Sequence, residues 1–262
     1  MSSVFDYNFD EIFKGLDDEA EHESVGGKLE DIEKFSGSPN RRYVFVGLIN
    51  DNSFSMFGKK LEILNASNEE IVNILKDKEA KLQTAGIKIA VMEFNSDARW
   101  LNTEPIDIAD YYYTPIKEAK GATNYGAVCT LLEKYLSREK MLKTACDYAP
   151  VIIFVTDGMS THTYEAQLEK LKKNEWFSHA TRVAILINDN NGVENPEECR
   201  KALREFAGND ELVKEVKDLS ELKDMIVLMT INSVIKQTRS GSQQKAEEED
   251  YDPEFTFDGK NG

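Results

Sequence analysis

Short apolar runs alternate along this chain with longer stretches whose apolar positions recur at helical spacing. Val44-Phe45-Val46-Gly47-Leu48-Ile49 is unbroken by a charge and predicts a buried strand over Tyr43–Asn50. Lys59 to Leu82 follows as a helix, with Leu61, Leu64, Ile71, Ile74, Leu75 and Leu82 along one side. Ile87–Phe94 predicts a second strand, and Ala98–Asn102 a short edge strand returning beside it. The spacing of Val128, Leu131, Leu132, Tyr135 and Leu136 predicts a helix over Asn124–Lys143. Val151–Thr156 reads as a strand buried on both faces. Beyond it the pattern gives a helix over Tyr164–Asn174, a strand over Thr181–Ile187 and a helix over Pro196–Phe206. A short strand over Val213–Val216 and a last helix over Ser220–Val234 complete the series. This alternation predicts an α/β fold: a doubly wound, mostly parallel sheet with one short antiparallel edge strand and helices on both faces. Such sheets bind ligands outside the carboxyl ends of their strands.

The pattern weakens at both ends. Residues 1–40 hold 11 acids against 3 bases and read as an acidic extension, partly disordered or carrying a short docking helix. Phe9, Ile12, Phe13 and Leu16 supply the helical spacing there, and Ser36-Gly37-Ser38-Pro39 ends the segment. Residues 41–235 form the predicted domain, and 236–262 an acidic disordered tail starting its loop character at Ser240-Gly241. The net charge of −16, without a basic stripe, argues against nucleic acid and anionic membrane as partners. No run approaches the roughly 18 apolar residues of a membrane span, and Met1–Asp6 has no signal-peptide pattern. Cys129, Cys146 and Cys199 are an odd number without CxxC spacing and read as reduced thiols. The expected location is the cytoplasm.

Candidate chemistry gathers at predicted strand ends. Asp51-x-Ser53-x-Ser55 leaves the first strand with one carboxylate and two hydroxyls at alternate positions. Oxygen donors of this kind suit a hard dication such as Mg²⁺ or Mn²⁺, although the same residues also serve as helix caps. Gly121-Ala122-Thr123-Asn124 delivers a hydroxyl at a helix start, and Val155-Thr156-Asp157-Gly158 a carboxylate at a strand end.

Together, in this order, Asp51, Ser53, Ser55, Thr123 and Asp157 resemble the metal-ion-dependent adhesion site (MIDAS) of von Willebrand factor A (VWA) domains. Phe94–Trp100, Gly121–Ala127, Thr156-Asp157-Gly158 and Trp176–Ala184 further resemble the TerY-like, tellurite-resistance-type bacterial subgroup. The resemblance implies that Ser53 and Ser55 ligate a metal directly. It implies that Asp51 acts partly through water, that Thr123 ligates directly or through water according to state, and that Asp157 adds the second negative charge. A partner protein's Asp or Glu would then take the open coordination position. The subgroup implies a cytosolic scaffold, in systems with a protein kinase or phosphatase as a candidate partner. Phe54 stands where the family usually has glycine, and Asn50 replaces the usual apolar residue. Phe54 either tucks against the following helix or anchors a partner.

A competing expectation is an Mg²⁺-dependent phosphatase-like hydrolase with Asp51 as nucleophile, but Ser53 stands where that chemistry wants a second acid. The chain has no GxxxxGK[ST] loop, no GxGxxG after the first strand, and no GxSxG elbow with a paired histidine. The reading is therefore a binding module and not an enzyme. The tail Glu247–Phe255 adds one further expectation, an internal carboxylate reaching back to the metal.

Overall fold

A computed structural model describes residues 42–80, 85–142, 148–189 and 195–249. The expected N-terminal extension lies outside them, as does the chain beyond Glu249. Among the described residues no helix is long and apolar enough to cross a membrane.

The strands are β1 (Arg42–Asp51), β2 (Ala85–Phe94), β3 (Ala98–Trp100), β4 (Ile106–Asp107), β5 (Val151–Thr156), β6 (Thr181–Ile187) and β7 (Val213–Val216). They form one sheet in the order β3-β2-β1-β5-β6-β7, with β4 also on β2. β1 pairs in parallel with β2 and β5, and β6 and β7 continue the parallel part. Among the described residues only β3 and β4 run antiparallel. The two-residue β4 has no counterpart in the predicted pattern because it is too short to show alternation. From β1 the chain moves outward to β2 and later returns to β5 on the other side. The β1/β5 boundary is thus the topological switch point, where the flanking loops diverge and leave a crevice.

The helices are α1 (Lys59–Glu79), α2 (Tyr125–Tyr135), α3 (Glu165–Lys172), α4 (Glu175–His179), α5 (Pro196–Ala207) and α6 (Leu219–Glu249). Successive strand residues point to opposite faces, so β1 serves two cores. Phe45 and Ile49 join Phe154 of β5, Val128 and Leu132 of α2, Leu171 of α3 and Phe206 of α5 in one buried cluster. On the other face α1 and α6 pack against each other, with Leu64, Ile71, Ile226 and Ile231 buried.

Helix ends depart from the predicted pattern for local reasons. The helix expected through Lys143 stops at Tyr135, because Leu136 leaves the helical region and its carbonyl accepts the Asn174 amide at 3.0 Å. Leu136 and Leu142 nevertheless stay buried, so the apolar spacing outlasts the helix. The helix expected over Tyr164–Asn174 forms as α3 and ends at Lys172, and Asn174 caps α4 by accepting the Phe177 N–H. α6 runs to Glu249, well past Val234, so helix occupies part of the stretch expected to be disordered. Gln243-Gln244-Lys245-Ala246 are good helix formers, and they outweigh the loop signal of Ser240-Gly241.

Candidate metal centre

β1 carries its buried character past the last apolar residue, so that Asn50, Asp51, Asn52 and Ser53 are all nearly inaccessible. What holds this polar segment inside is a set of main-chain and side-chain bonds from three neighbours. The Asn52 N–H donates to Phe94 O at 2.8 Å, prolonging the ladder to β2 by one residue. A strap over residues 118–121 then lies along the loop: Lys120 N–H donates to Asn52 O, and Phe54 N–H donates to Gly121 O at 3.0 Å. Gly121 has φ +73°, and a Cβ there would meet Ser96 Oγ at 2.8 Å, which explains a glycine at the turn before Thr123.

The polar atoms form a continuous series across the β1/β5 crevice. Asp51 Oδ1 accepts the Ser53 N–H at 2.7 Å, and Oδ2 accepts the Thr156 hydroxyl at 2.6 Å. Ser53 Oγ and Ser55 Oγ are 3.1 Å apart, and Ser55 Oγ donates to Asp157 Oδ1 at 2.6 Å. The second Asp157 oxygen accepts from Lys60 Nζ at 2.8 Å, which also faces Asp189 at 3.3 Å. Ser55 is exposed, and through it the series meets solvent. Four of the five residues singled out by sequence are thus within one hydrogen-bonded group. Thr123 is buried, but among the described residues its hydroxyl joins none of these bonds. Its carbonyl instead accepts the Thr161 N–H and hydroxyl, tying the strap to the loop after β5.

The second carboxylate acts on the buried Asp51. Burial, and then the negative charge of Asp157, push the Asp51 carboxyl up from 3.8 to about 7, against the bonds from Thr156 and Ser53. Burial works against the charged form of Lys60, but its bond to Asp157 and the charges of Asp157 and Asp189 outweigh it and raise its pKa. The group's donors fit a hard dication: two carboxylates and two hydroxyls, all oxygen. Among the described residues no group of three or more His, Cys, Asp or Glu side chains is arranged to hold a metal, so hydroxyls have to complete any such site.

Phe54 is not tucked against α1. It is 71% exposed and stacks on Phe57, itself 74% exposed, with ring centroids 6.5 Å apart. The sequence assigns no site role to Lys60, Thr156 or Phe57. In the sequence Lys60 shows only as half of a basic pair, Lys59-Lys60, with nothing to set it apart from a solvated helix start. Tyr125 adds support from below, its buried hydroxyl donating to Gly158 O and so fixing the turn that follows Asp157.

No protein-family model matches the chain, and no curated protein is similar to it in sequence. Solved structures do match. A von Willebrand factor type A protein from Catenulispora acidiphila is 20% identical over 73% of this chain and 43% of its own, with TM-score 0.53. Proximal thread matrix protein 1 of the mussel byssus, with a zinc-occupied MIDAS motif, is 18% identical over 74% of this chain and 46% of its own, with TM-score 0.51. The vWF domain of the type V pili tip protein Mfa5 from Porphyromonas gingivalis is 11% identical, with TM-score 0.54, over 75% of this chain and 97% of its own. This chain therefore spans less than half the length of the first two. At these identities the likeness is one of architecture, and it shows that the chain has the fold of a von Willebrand factor A domain.

Proposed function

We propose that this chain is a metal-dependent protein-binding module that captures a partner's carboxylate. The observation that carries the reading is the hydrogen-bonded group Asp51, Ser53, Ser55 and Asp157 at the switch point of the sheet, open to solvent at Ser55. Asp51 and Asp157 would supply negative charge to Mg²⁺ or Mn²⁺, and Ser53 and Ser55 neutral oxygens, with Thr123 as the fifth candidate ligand. The zinc-occupied MIDAS motif of the mussel protein supports a divalent ion in this fold. When bound, the ion supplies a Lewis-acidic position for an outside Asp or Glu. The exposed Phe54–Phe57 pair offers apolar contact beside it. The TerY-like character, the cytoplasmic location and a kinase or phosphatase partner rest on the sequence motifs alone.

A hydrolase reading is weaker on physical grounds. Asp51 is 0% exposed and both of its oxygens already accept hydrogen bonds, which suits a group that positions others better than a nucleophile needing an open line of attack.

The test uses immobilised protein and peptides with one central Asp, against the same peptides with Asn. Mn²⁺ should allow retention of the Asp set only, and EDTA should release it. Phe54→Gly should weaken retention about tenfold with Mn²⁺ affinity unchanged. Retention that ignores the metal, or does not distinguish Asp from Asn, contradicts the reading.

A further inference from the structure

The cation already present at the candidate centre is Lys60. It is the second residue of α1, and its side chain is 10% exposed against 0% for Asp157. Its ammonium sits 2.8 Å from Asp157 Oδ2 and 3.3 Å from Asp189 Oδ1. The other Asp157 oxygen faces away from it, toward Ser55 at 2.6 Å. Asp157 is therefore divided between a hydroxyl group and a resident positive charge.

Asp51, Asp157 and Asp189 are three carboxylates, and Lys60 leaves them at −2 when all are ionised. A dication then brings the cluster to neutrality. Without the ammonium the same dication would leave a net negative centre, which holds its metal more tightly but repels an incoming carboxylate.

We infer that Lys60 is a built-in cation that sets the metal affinity of this centre: it holds Asp157 by one oxygen, leaves the other to the hydroxyl group, weakens metal binding, and keeps a bound dication receptive to an outside carboxylate. This rests on the metal-binding reading of the site. Lys60 acts through Asp157 and is a positioning residue, not a ligand. In the metal-free chain it has a second effect, since removing it leaves Asp157 buried beside Asp189 without its cation.

The experiment is calorimetric titration of Mn²⁺ into the full chain at pH 8, for wild type, Lys60→Met, Lys60→Arg, Asp189→Asn and Asp157→Ala. Lys60→Met keeps most of the side chain's length and removes the charge. It should bind Mn²⁺ about tenfold or more tightly than wild type, the direction set by removing one positive charge beside a dication. Its melting temperature in EDTA should fall, and the rise on adding Mn²⁺ should be larger than that of wild type. Lys60→Arg should stay near wild type in both. Where Lys60→Met does not fold in EDTA, Asp189→Asn carries the test. It removes one negative charge beside the ammonium and should weaken Mn²⁺ binding several-fold. Mn²⁺ binding that is lost in Asp157→Ala but unchanged or weaker in folded Lys60→Met would preserve the metal reading and overturn this role for Lys60. Unchanged binding in Asp189→Asn would overturn it as well. Absence of Mn²⁺ heat from wild type and Lys60→Met alike would overturn both.

Discussion

Two successive stretches, the middle of β1 and the run in which β1 passes into its loop, are equally buried and chemically opposite. Val44 to Ile49 has no polar side chain, whereas Asn50, Asp51, Asn52 and Ser53 have no apolar one, and neither stretch reaches water. The first stretch follows the ordinary logic of a core, where each large apolar side chain removed from water contributes about 1.5–3 kcal/mol. In the second stretch burial is costly unless every polar atom finds a partner. The partners found there are incomplete. Asp51 shares its surroundings with a second carboxylate, and among the described residues the Asn50 amide has no hydrogen-bond partner at all. The contrast supports the proposed site: a sheet that satisfies packing rules through its middle departs from them at the switch point, and local departures of that kind concentrate at working sites.

The contrast can be broken from the apolar side. Phe154 lies at 5.1 Å from Phe94, 5.2 Å from Tyr125 and 4.9 Å from Phe206, ring centre to ring centre. Phe154→Ala should cost about 3–5 kcal/mol in urea denaturation, through lost burial and the cavity left behind.

From the polar side the sign reverses. The folded Asp51 carboxyl titrates at about 7 against an ordinary 3.8, so the folded state keeps a proton that the unfolded chain has released. Its favourable contribution is complete below about pH 4 and is lost as pH rises toward about 7 and beyond. Asp51→Asn should therefore raise metal-free stability at pH 8, by about 1–3 kcal/mol, and flatten this part of the pH dependence of melting. A bound dication requires the ionised carboxylate, so metal stabilisation of wild type should grow from pH 5 to about 7 and level above it. In Asp51→Asn it should be absent. The smallest effect concerns Asn50. Asn50→Val removes an unsatisfied buried amide and should stabilise by about 1 kcal/mol with Mn²⁺ affinity unchanged, read from urea midpoints and calorimetry.

Most of the sheet was legible in sequence because β1, β5 and β6 are buried on both faces and therefore appear as unbroken apolar runs. Helix ends were less so: Leu136 and Leu142 are buried for packing, and their spacing continues through backbone that is no longer helical. At the candidate centre, the hydrogen-bonded group of Asp51, Ser53, Ser55 and Asp157 could be picked out because alternation on a loop and a position just past a strand are visible in one dimension. Thr156 and Lys60 could not. Thr156 looks like one more strand residue, yet its hydroxyl fixes Asp51 across the sheet. Lys60 looks like half of a solvated basic pair, and only the packing of the first turn of α1 reveals that its ammonium is inside.

On the proposed reading, a divalent ion completes the polar run at the end of β1. The most direct test is a thermal melt of wild type and Asp157→Ala at pH 8, each in EDTA and in millimolar Mg²⁺ or Mn²⁺. An ion that binds the folded state alone stabilises it by about 2.7 kcal/mol at about a hundredfold excess over Kd. Wild type should melt at a higher temperature with metal, and Asp157→Ala should not respond. A wild-type melting curve that is the same in EDTA and in metal would contradict the account.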